Sequence, residues 1–343
     1  MKKQNLLVLF AALMIFVVGC DKEESAVVTP TPAAINEAAE MAKYVESNND
    51  YLYAASSFVL SATTYRTEVV ADPTKIYTID IRSSADYTTK HLKGAVNVTL
   101  ANLYTHIKGL TFANYKYIVV ACYSGQTASF GVSVVRSLLP LADANKVVAL
   151  KWGMSSIDST FATSYWLAKT SNSRSTQFVT TDAPAKPTKG ELPVLTTGLT
   201  TGKAILEARA AKVLTDGFNI TITEATLYTN LSNYFIVNYW PNAAYKDPGH
   251  IEGAYNYEPT AKPFKLDSLV KTLPTNKPVV VYCYTGQTSA YVGAYLKMLG
   301  YDVKSISYGA NSMIFDKMKA SANTSANAFV PANEIKSYKD LLE

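Results

Sequence analysis

The chain of 343 residues has three cysteines, three histidines and three tryptophans. Three cysteines, at 20, 122 and 283, cannot build the disulfide framework of a small secreted scaffold. No C-x-x-C pair exists, which excludes thioredoxin-like redox chemistry. The histidines at 91, 106 and 250 match no zinc-ligand spacing, so neither a metal nor another cofactor is expected. Sixteen glycines and 14 prolines are too few for a collagen-like or low-complexity chain. Charged residues make up only 17%, with a net charge of +5 and scattered Lys and Arg, which argues against a nucleic-acid partner. Only one long uncharged apolar run occurs, Leu6 to Val18, and it is short for a membrane span. What is present is a 48% apolar share, too high for disorder, in a chain long enough for two domains.

Lys2 and Lys3 precede the apolar run, and Val17-Val18-Gly19-Cys20 follows it. This order is that of a secretory signal, and its end resembles a bacterial lipobox, in which the signal is cut before a lipidated Cys. Residues 1–19 are therefore expected to be a lipoprotein signal peptide and Cys20 the lipidation site. Residues 20–34, charged and then rich in Thr and Pro, are expected to be an extended tether. Such a protein would sit in the cell envelope, on the periplasmic side of a membrane or at the cell surface. The lipid would be its contact with the membrane.

The rest of the chain is a duplication. CYSGQTAS at 122–129 returns as CYTGQTSA at 283–290, and His91-Leu92-Lys93-Gly94-Ala95 returns as His250-Ile251-Glu252-Gly253-Ala254. Tyr77–Asp80 aligns with Phe235–Asn238, Phe58 with Phe218, and Lys151-Trp152-Gly153 with Ser307-Tyr308-Gly309. Five anchors in one order define two repeats. They are drawn as domains at 35–170 and 201–343, with a Ser, Thr, Pro and Lys-rich linker at 171–200. In each repeat short apolar runs alternate with helical periodicity. Ile76–Ile81, Val96–Val98, Tyr117–Ala121 and Lys146–Leu150 are expected strands, and Thr127–Leu139 is an expected helix. The second repeat copies this with Tyr234–Val237, Pro278–Tyr282, Ser289–Leu299 and Val303–Ile306. Such alternation predicts α/β domains with mainly parallel sheets.

Each cysteine of the repeats follows a buried-type strand and precedes a helix. Ligands in parallel α/β sheets bind beyond the carboxyl ends of the strands. A short polar loop there, with a Gly to curve it, can turn its backbone N–H groups onto an anion at a helix start. The same groups and the helix dipole are expected to draw a thiol toward thiolate. A lone Cys beside a strand is more often an inert core residue. The repetition of the whole loop favours a functional thiol in at least one repeat.

Asp80-Ile81-Arg82, Asp86-Tyr87, His91–Ala95, the Cys loop and Trp152-Gly153 come in an order that resembles the rhodanese family. The resemblance spans both repeats, roughly 50–165 and 215–320. It implies two tandem rhodanese-like domains, each a mainly parallel five-stranded sheet flanked by helices. It implies a sulfurtransferase that takes sulfane sulfur from thiosulfate or a related donor, holds it as a cysteine persulfide and passes it to a thiol or cyanide acceptor. The catalytic role then falls on Cys122 and Cys283. The cradle falls on Tyr123, Ser124, Gly125, Gln126 and Thr127, and on Tyr284, Thr285, Gly286, Gln287 and Thr288. Asp80 and Arg82 would brace the first loop, and His91 and His250 would be fixed through backbone hydrogen bonds. Trp152 and Tyr308 would be lids or walls near the loops, or core.

The chain departs from the family pattern. Many active members read C-R-x-G-x-R, whereas the basic positions here hold Tyr123 and Thr127, and Tyr284 and Thr288. Neither loop offers a cation to a dianion such as thiosulfate. Asn238 and Trp240 replace the Asp80 and Arg82 of the first repeat. A C-x5-R phosphatase is excluded, because the sixth residue after each Cys is Ala128 or Ser289. The competing reading is a non-catalytic rhodanese-like envelope module that binds an anion, a sulfur species or a protein partner.

Overall fold

The computed structural model of the protein describes residues 35–343. The expected signal peptide, tether and Cys20 lie outside the described residues. Residues 35–343 form one compact unit that contains both repeats.

Twelve strands occur among the described residues. In the first repeat they are β1 (Val59–Leu60), β2 (Ile76–Asp80), β3 (Val96–Asn97), β4 (Tyr117–Ala121) and β5 (Val147–Leu150). β6 (Phe178–Val179) lies in the linker. The second repeat has β7 (Thr221–Ile222), β8 (Phe235–Asn238), β9 (His250–Ile251), β10 (Tyr255–Asn256), β11 (Val279–Tyr282) and β12 (Val303–Ile306). The first sheet runs β1-β5-β4-β2-β3 and the second β7-β12-β11-β8-β10, so the topology is repeated. Every pair within these two sheets is parallel. The central strands read as uninterrupted apolar runs because helices cover both faces of such a sheet. β11 is Val-Val-Val-Tyr, buried at all four positions.

The helix Gln126–Leu138 leaves the end of the β4 loop, and Gln287–Met298 leaves that of β11. These two helices pack on each other and carry the junction between the repeats. They are nearly wholly buried, and one apolar core runs from Val120 and Phe130 through to Val281 and Tyr295. Phe58 stacks on Tyr291 of the other repeat at 4.0 Å, and Phe130 meets Phe218 at 5.2 Å. A second helix pair, Glu37–Asn48 and Gly202–Asp216, packs beside the first, one helix preceding each repeat.

The repeats also exchange their trailing segments. β6, downstream of the first repeat, pairs antiparallel with β9 in the second. The C-terminal segment makes the reciprocal move. His91 N donates to Glu343 O at 2.9 Å, Lys93 N to Leu341 O at 2.8 Å, and Glu343 N to His91 O at 3.0 Å. Both His-containing turns are therefore covered by chain from across the molecule. No periodicity marks these pieces, since each gains its hydrogen bonds from a distant partner rather than from its own neighbours.

Candidate functional site

Both cysteine loops leave the carboxyl end of a central strand, β4 or β11, and enter the junction helix. Gly125 and Gly286 make the turn, with φ of 86° and 77° that a side-chain-bearing residue would adopt only under strain. In the first loop, Gly125 N and Ala128 N donate to Cys122 Sγ at 3.2 and 3.3 Å. In the second, Ser289 N donates to Cys283 Sγ at 3.3 Å, and the Cys283 thiol reaches Ser289 Oγ at 3.5 Å. The replacement of Ala128 by Ser289 thus gives Cys283 a hydroxyl neighbour, which is itself 2.7 Å from Ser305 Oγ.

Each cysteine is buried, 2% exposed, and the two thiols are free. Burial pushes the Cys122 thiol up from its ordinary value. The N–H groups of Ala128, Ser124 and Gly125 pull it down, and the Asp80 carboxylate adds to the rise. Desolvation wins, which corrects the expectation that the loop draws the resting thiol toward thiolate. The cradle lowers the cost of negative charge on sulfur without making it the resting state.

The floor of each loop comes from the Trp-Gly and Tyr-Gly anchors. Trp152 and Tyr308 have φ of 65° and 61°, in the left-handed region, and each is followed by a Gly in the same region. Met154 N donates to Cys122 O at 2.8 Å and Ala310 N to Cys283 O at 3.0 Å. A Cβ on Gly153 would lie 2.3 Å from Cys122 O, and one on Gly309 2.4 Å from Cys283 O. Only glycine permits that approach.

The two loops meet across the junction. Gln126 Oε1 accepts from Tyr308 N at 2.8 Å, and Gln287 Oε1 accepts from Trp152 N at 3.3 Å. A Cβ on Gly125 would strike the Gln287 amide at 2.8 Å, and one on Gly286 would strike Gln126 Oε1 at 2.4 Å. Each glutamine of a cradle therefore seats the opposite repeat. Gln126 also donates to Ser124 Oγ at 3.0 Å. Gln287 Nε2 is buried with no partner, while the Gln287 backbone N–H donates to Thr285 Oγ1.

Trp152 and Tyr308 join an aromatic plug with Trp166 and Phe329. Trp166 Nε1 donates to Ser124 O at 3.1 Å, so the plug sits on the Cys122 loop. Trp166 stacks on Phe329 at 4.9 Å and meets Trp152 and Tyr308 edge-on at 4.6 and 5.0 Å. Trp152 Nε1 donates to Glu334 at 2.7 Å, which ties the plug to the C-terminal segment. Trp166 and Phe329 were not singled out from the sequence, since they lie outside the repeated anchors. The Trp-Gly and Tyr-Gly anchors were the only signal pointing to this plug.

The bracing residues differ between the repeats. Arg82 Nη2 lies 2.7 Å from Asp80 Oδ2, both side chains 1% exposed, and also donates to Lys90 O at 2.6 Å. The guanidinium lies 5.7 Å from the Tyr123 ring centroid. Tyr123 OH donates to Asp86 Oδ2 at 2.5 Å. The Asp86 carboxyl is held below its usual range, first by Ser83 and then by Tyr123. In the second repeat Trp240 stacks on Tyr284 at 4.8 Å, and its Nε1 and Asn238 Nδ2 are buried without partners. The Tyr side chains at 123 and 284 are thus engaged with the strand-end brace. Thr127 and Thr288 are half-buried and Ser124 and Thr285 buried. His91 Nδ1 lies 2.8 Å from Tyr87 O and His250 Nδ1 2.9 Å from Tyr245 O, each ring stacked on that same tyrosine. Neither is part of the thiol-contacting set.

A duplicated parallel α/β unit with a backbone-lined cysteine loop at each central strand end is the architecture described by these features. The model of the rhodanese-like domain family matches residues 65–160 and 224–313, more than half of the chain, and the chain belongs to that family. No curated protein matches it in sequence. Among solved structures, a rhodanese-related protein from Thermoplasma volcanium is 23% identical over 28% of this chain and 91% of its own, with a TM-score of 0.25. A thiosulfate sulfurtransferase from Pseudomonas aeruginosa is 15% identical over 79% of this chain, with a TM-score of 0.28. This chain spans 46% of that protein's length. A probable thiosulfate sulfurtransferase is 14% identical over 70% of this chain and 95% of its own, with a TM-score of 0.27.

Proposed function

We propose that the protein is a sulfurtransferase that carries sulfane sulfur on a loop cysteine, with Cys122 the principal site. The observation that carries this is the pair of backbone N–H groups, Gly125 and Ala128, on Cys122 Sγ at the start of a junction helix. The thiolate attacks the outer sulfur of thiosulfate or a related anion. A new S–S bond forms at Cys122, the donor's S–S bond breaks, and sulfite leaves with its electron pair. A thiol or cyanide then attacks the outer sulfur and restores the thiolate. The inward N–H groups hold the negative charge in both states. Cys283 has one such N–H group and a hydroxyl neighbour, and its repeat lacks the Asp80–Arg82 brace, which ranks it second. The chain is further proposed to be an envelope lipoprotein lipidated at Cys20, with repeats at 35–170 and 201–343 and a linker at 171–200. Cys20→Ala should release an uncut or soluble form.

A second reading is favoured by burial and by the cation-free loops. On it the module binds an anion, a sulfur species or a protein partner without turnover. Thiosulfate or polysulfide treatment followed by intact-mass measurement separates the two. A gain of about 32 Da, one sulfur, that is lost in Cys122→Ser and discharged by cyanide supports transfer. No gain at either cysteine supports the binding module.

A further inference from the structure

The Cys122 sulfur is sealed, so a reagent can meet it only by a route that opens. Three members of the plug over its loop, Trp152, Trp166 and Phe329, are 0–1% exposed. Tyr308 alone of the four is half-buried. It comes from the second repeat, yet its backbone N–H is bound to Gln126 of the Cys122 loop and its ring meets Trp166. On its other side Tyr308 lines a solvent-facing cavity of about 330 Å³, bordered by Lys169, Thr170, Ser307 and Ser312. The hydroxyl also feels the Cys122 site. Burial pushes it up to about 12, with negative charge on Cys122 adding to the rise and the nearby Ser124 side chain opposing it. Tyr308 is thus the half-buried member of the plug, with this cavity on one side and Gln126 of the Cys122 loop on the other.

The cavity also has the charge that the loop lacks. Lys169 is exposed on its border, while its carboxylate, Glu224, lies 2.7 Å from Arg174 and is neutralised there. Hydroxyl-bearing side chains make up most of the remaining wall. Together with Lys169 these hydroxyls offer a small oxyanion hydrogen-bond donors and one cation.

We propose that this cavity is the port through which small anionic sulfur compounds reach Cys122, with Tyr308 as its door and Lys169 as the cation that draws them in. The cation missing from the loop is then supplied one step earlier, at the entrance and from the chain between the repeats. The proposal rests on Cys122 being the thiol that takes sulfur, but its test does not require sulfur transfer.

The test is alkylation of the full chain, followed separately at the Cys122 and Cys283 peptides by mass spectrometry. Neutral iodoacetamide and anionic iodoacetate are the two probes. Tyr308→Ala should speed iodoacetamide at Cys122 by about tenfold or more, and by several-fold more than at Cys283, whose loop floor includes the same anchor, as expected when one local barrier to opening is removed. Tyr308→Gly is the second variant. It relieves the left-handed backbone as it removes the ring, so it stays folded if the alanine form does not. Lys169→Glu should lower the iodoacetate-to-iodoacetamide rate ratio at Cys122 by about threefold at low salt, and less at high salt. Equal acceleration of both cysteines, or none at Cys122, overturns the door. An unchanged ratio in Lys169→Glu overturns the anion port. If these rates behave as expected but thiosulfate and polysulfide leave no added sulfur, the port stands and the sulfurtransferase reading falls.

Discussion

The Asp80–Arg82 pair and its replacement by Asn238 and Trp240 give a swap experiment inside one molecule. Asp80 receives both Nε and Nη2 of Arg82, at 2.7 to 3.0 Å, in a site where neither side chain reaches water. Arg82→Trp should be sterically tolerable, since the second repeat stacks Trp240 on Tyr284 at the equivalent place. It leaves the Asp80 carboxylate buried with only the residue-82 backbone N–H, now at 2.9 Å. Breaking one side of a buried pair costs about 3–5 kcal/mol, because the remaining charge is desolvated and uncompensated. Adding Asp80→Asn removes that charge, so the double variant should recover most of the loss. The expected coupling is about 2 kcal/mol or more in a double-mutant cycle. Denaturant unfolding, read at tyrosine and tryptophan fluorescence, gives the four midpoints of the parent chain, Arg82→Trp, Asp80→Asn and the double variant. Additive losses, or a single Arg82→Trp cost below about 1 kcal/mol, would refute the argument that the ion pair is the binding constraint at this strand end.

Reactivity of Cys122 should rise with pH through a midpoint above the ordinary thiol range, because burial raises the thiol. The linkage has a fixed sign. Between the unfolded and folded pKa values the unfolded state has lost its proton and the folded state has not, so stability falls as pH rises through that window. Cys122→Ser should flatten this part of the stability profile in urea titrations across alkaline pH. A nick in residues 183–190 should leave two fragments that co-elute on gel filtration, since β6 and the C-terminal segment each grip the other repeat; separation without denaturant would contradict the exchange. Removal of residues 339–343 should cost roughly 3–5 kcal/mol, from three backbone hydrogen bonds to the His91 turn and the buried Leu341, measured as a shift in unfolding midpoint. Gly153→Ala should be more damaging than Gly94→Ala, though both have positive φ, because only the former drives a Cβ into the Cys122 loop; circular-dichroism melting would compare them.

The duplicated sheets and both cysteine loops were legible because local patterning encodes them. Val279–Tyr282 and Tyr117–Ala121 are apolar throughout, and each is followed by the same Gly-containing hexamer. The two-residue edge strands Val59–Leu60 and Thr221–Ile222 carry no period of their own and form only because β5 and β12 offer an open edge. The exchange of Phe178–Val179 and Leu341–Glu343 was likewise hidden. Their partners, Ile251 and His91, lie far away in sequence, and a backbone hydrogen bond leaves no mark on side-chain choice. The brace at Asp80 was visible as a spacing; that Tyr123 would be turned to Asp86 was not, because it depends on Ser83 presenting the helix start that holds the carboxylate.

The thiol is the point at which local and global physics disagree. Taken by itself, the loop is an anion site: two N–H groups face Cys122 Sγ at the mouth of a helix. Taken with its surroundings, it is a sealed core position, and the seal raises the thiol more than the loop lowers it. The seal does not belong to the first repeat alone. Tyr308, Phe329 and the Glu334 that anchors Trp152 all come from the second half of the chain. A buried, protonated thiol is shielded from indiscriminate oxidation, and the same N–H groups favour negative charge on sulfur where it develops. The duplication then has a chemical use beyond symmetry. On the reading proposed above, one repeat supplies the nucleophile and its cradle, and the other supplies the cover over them.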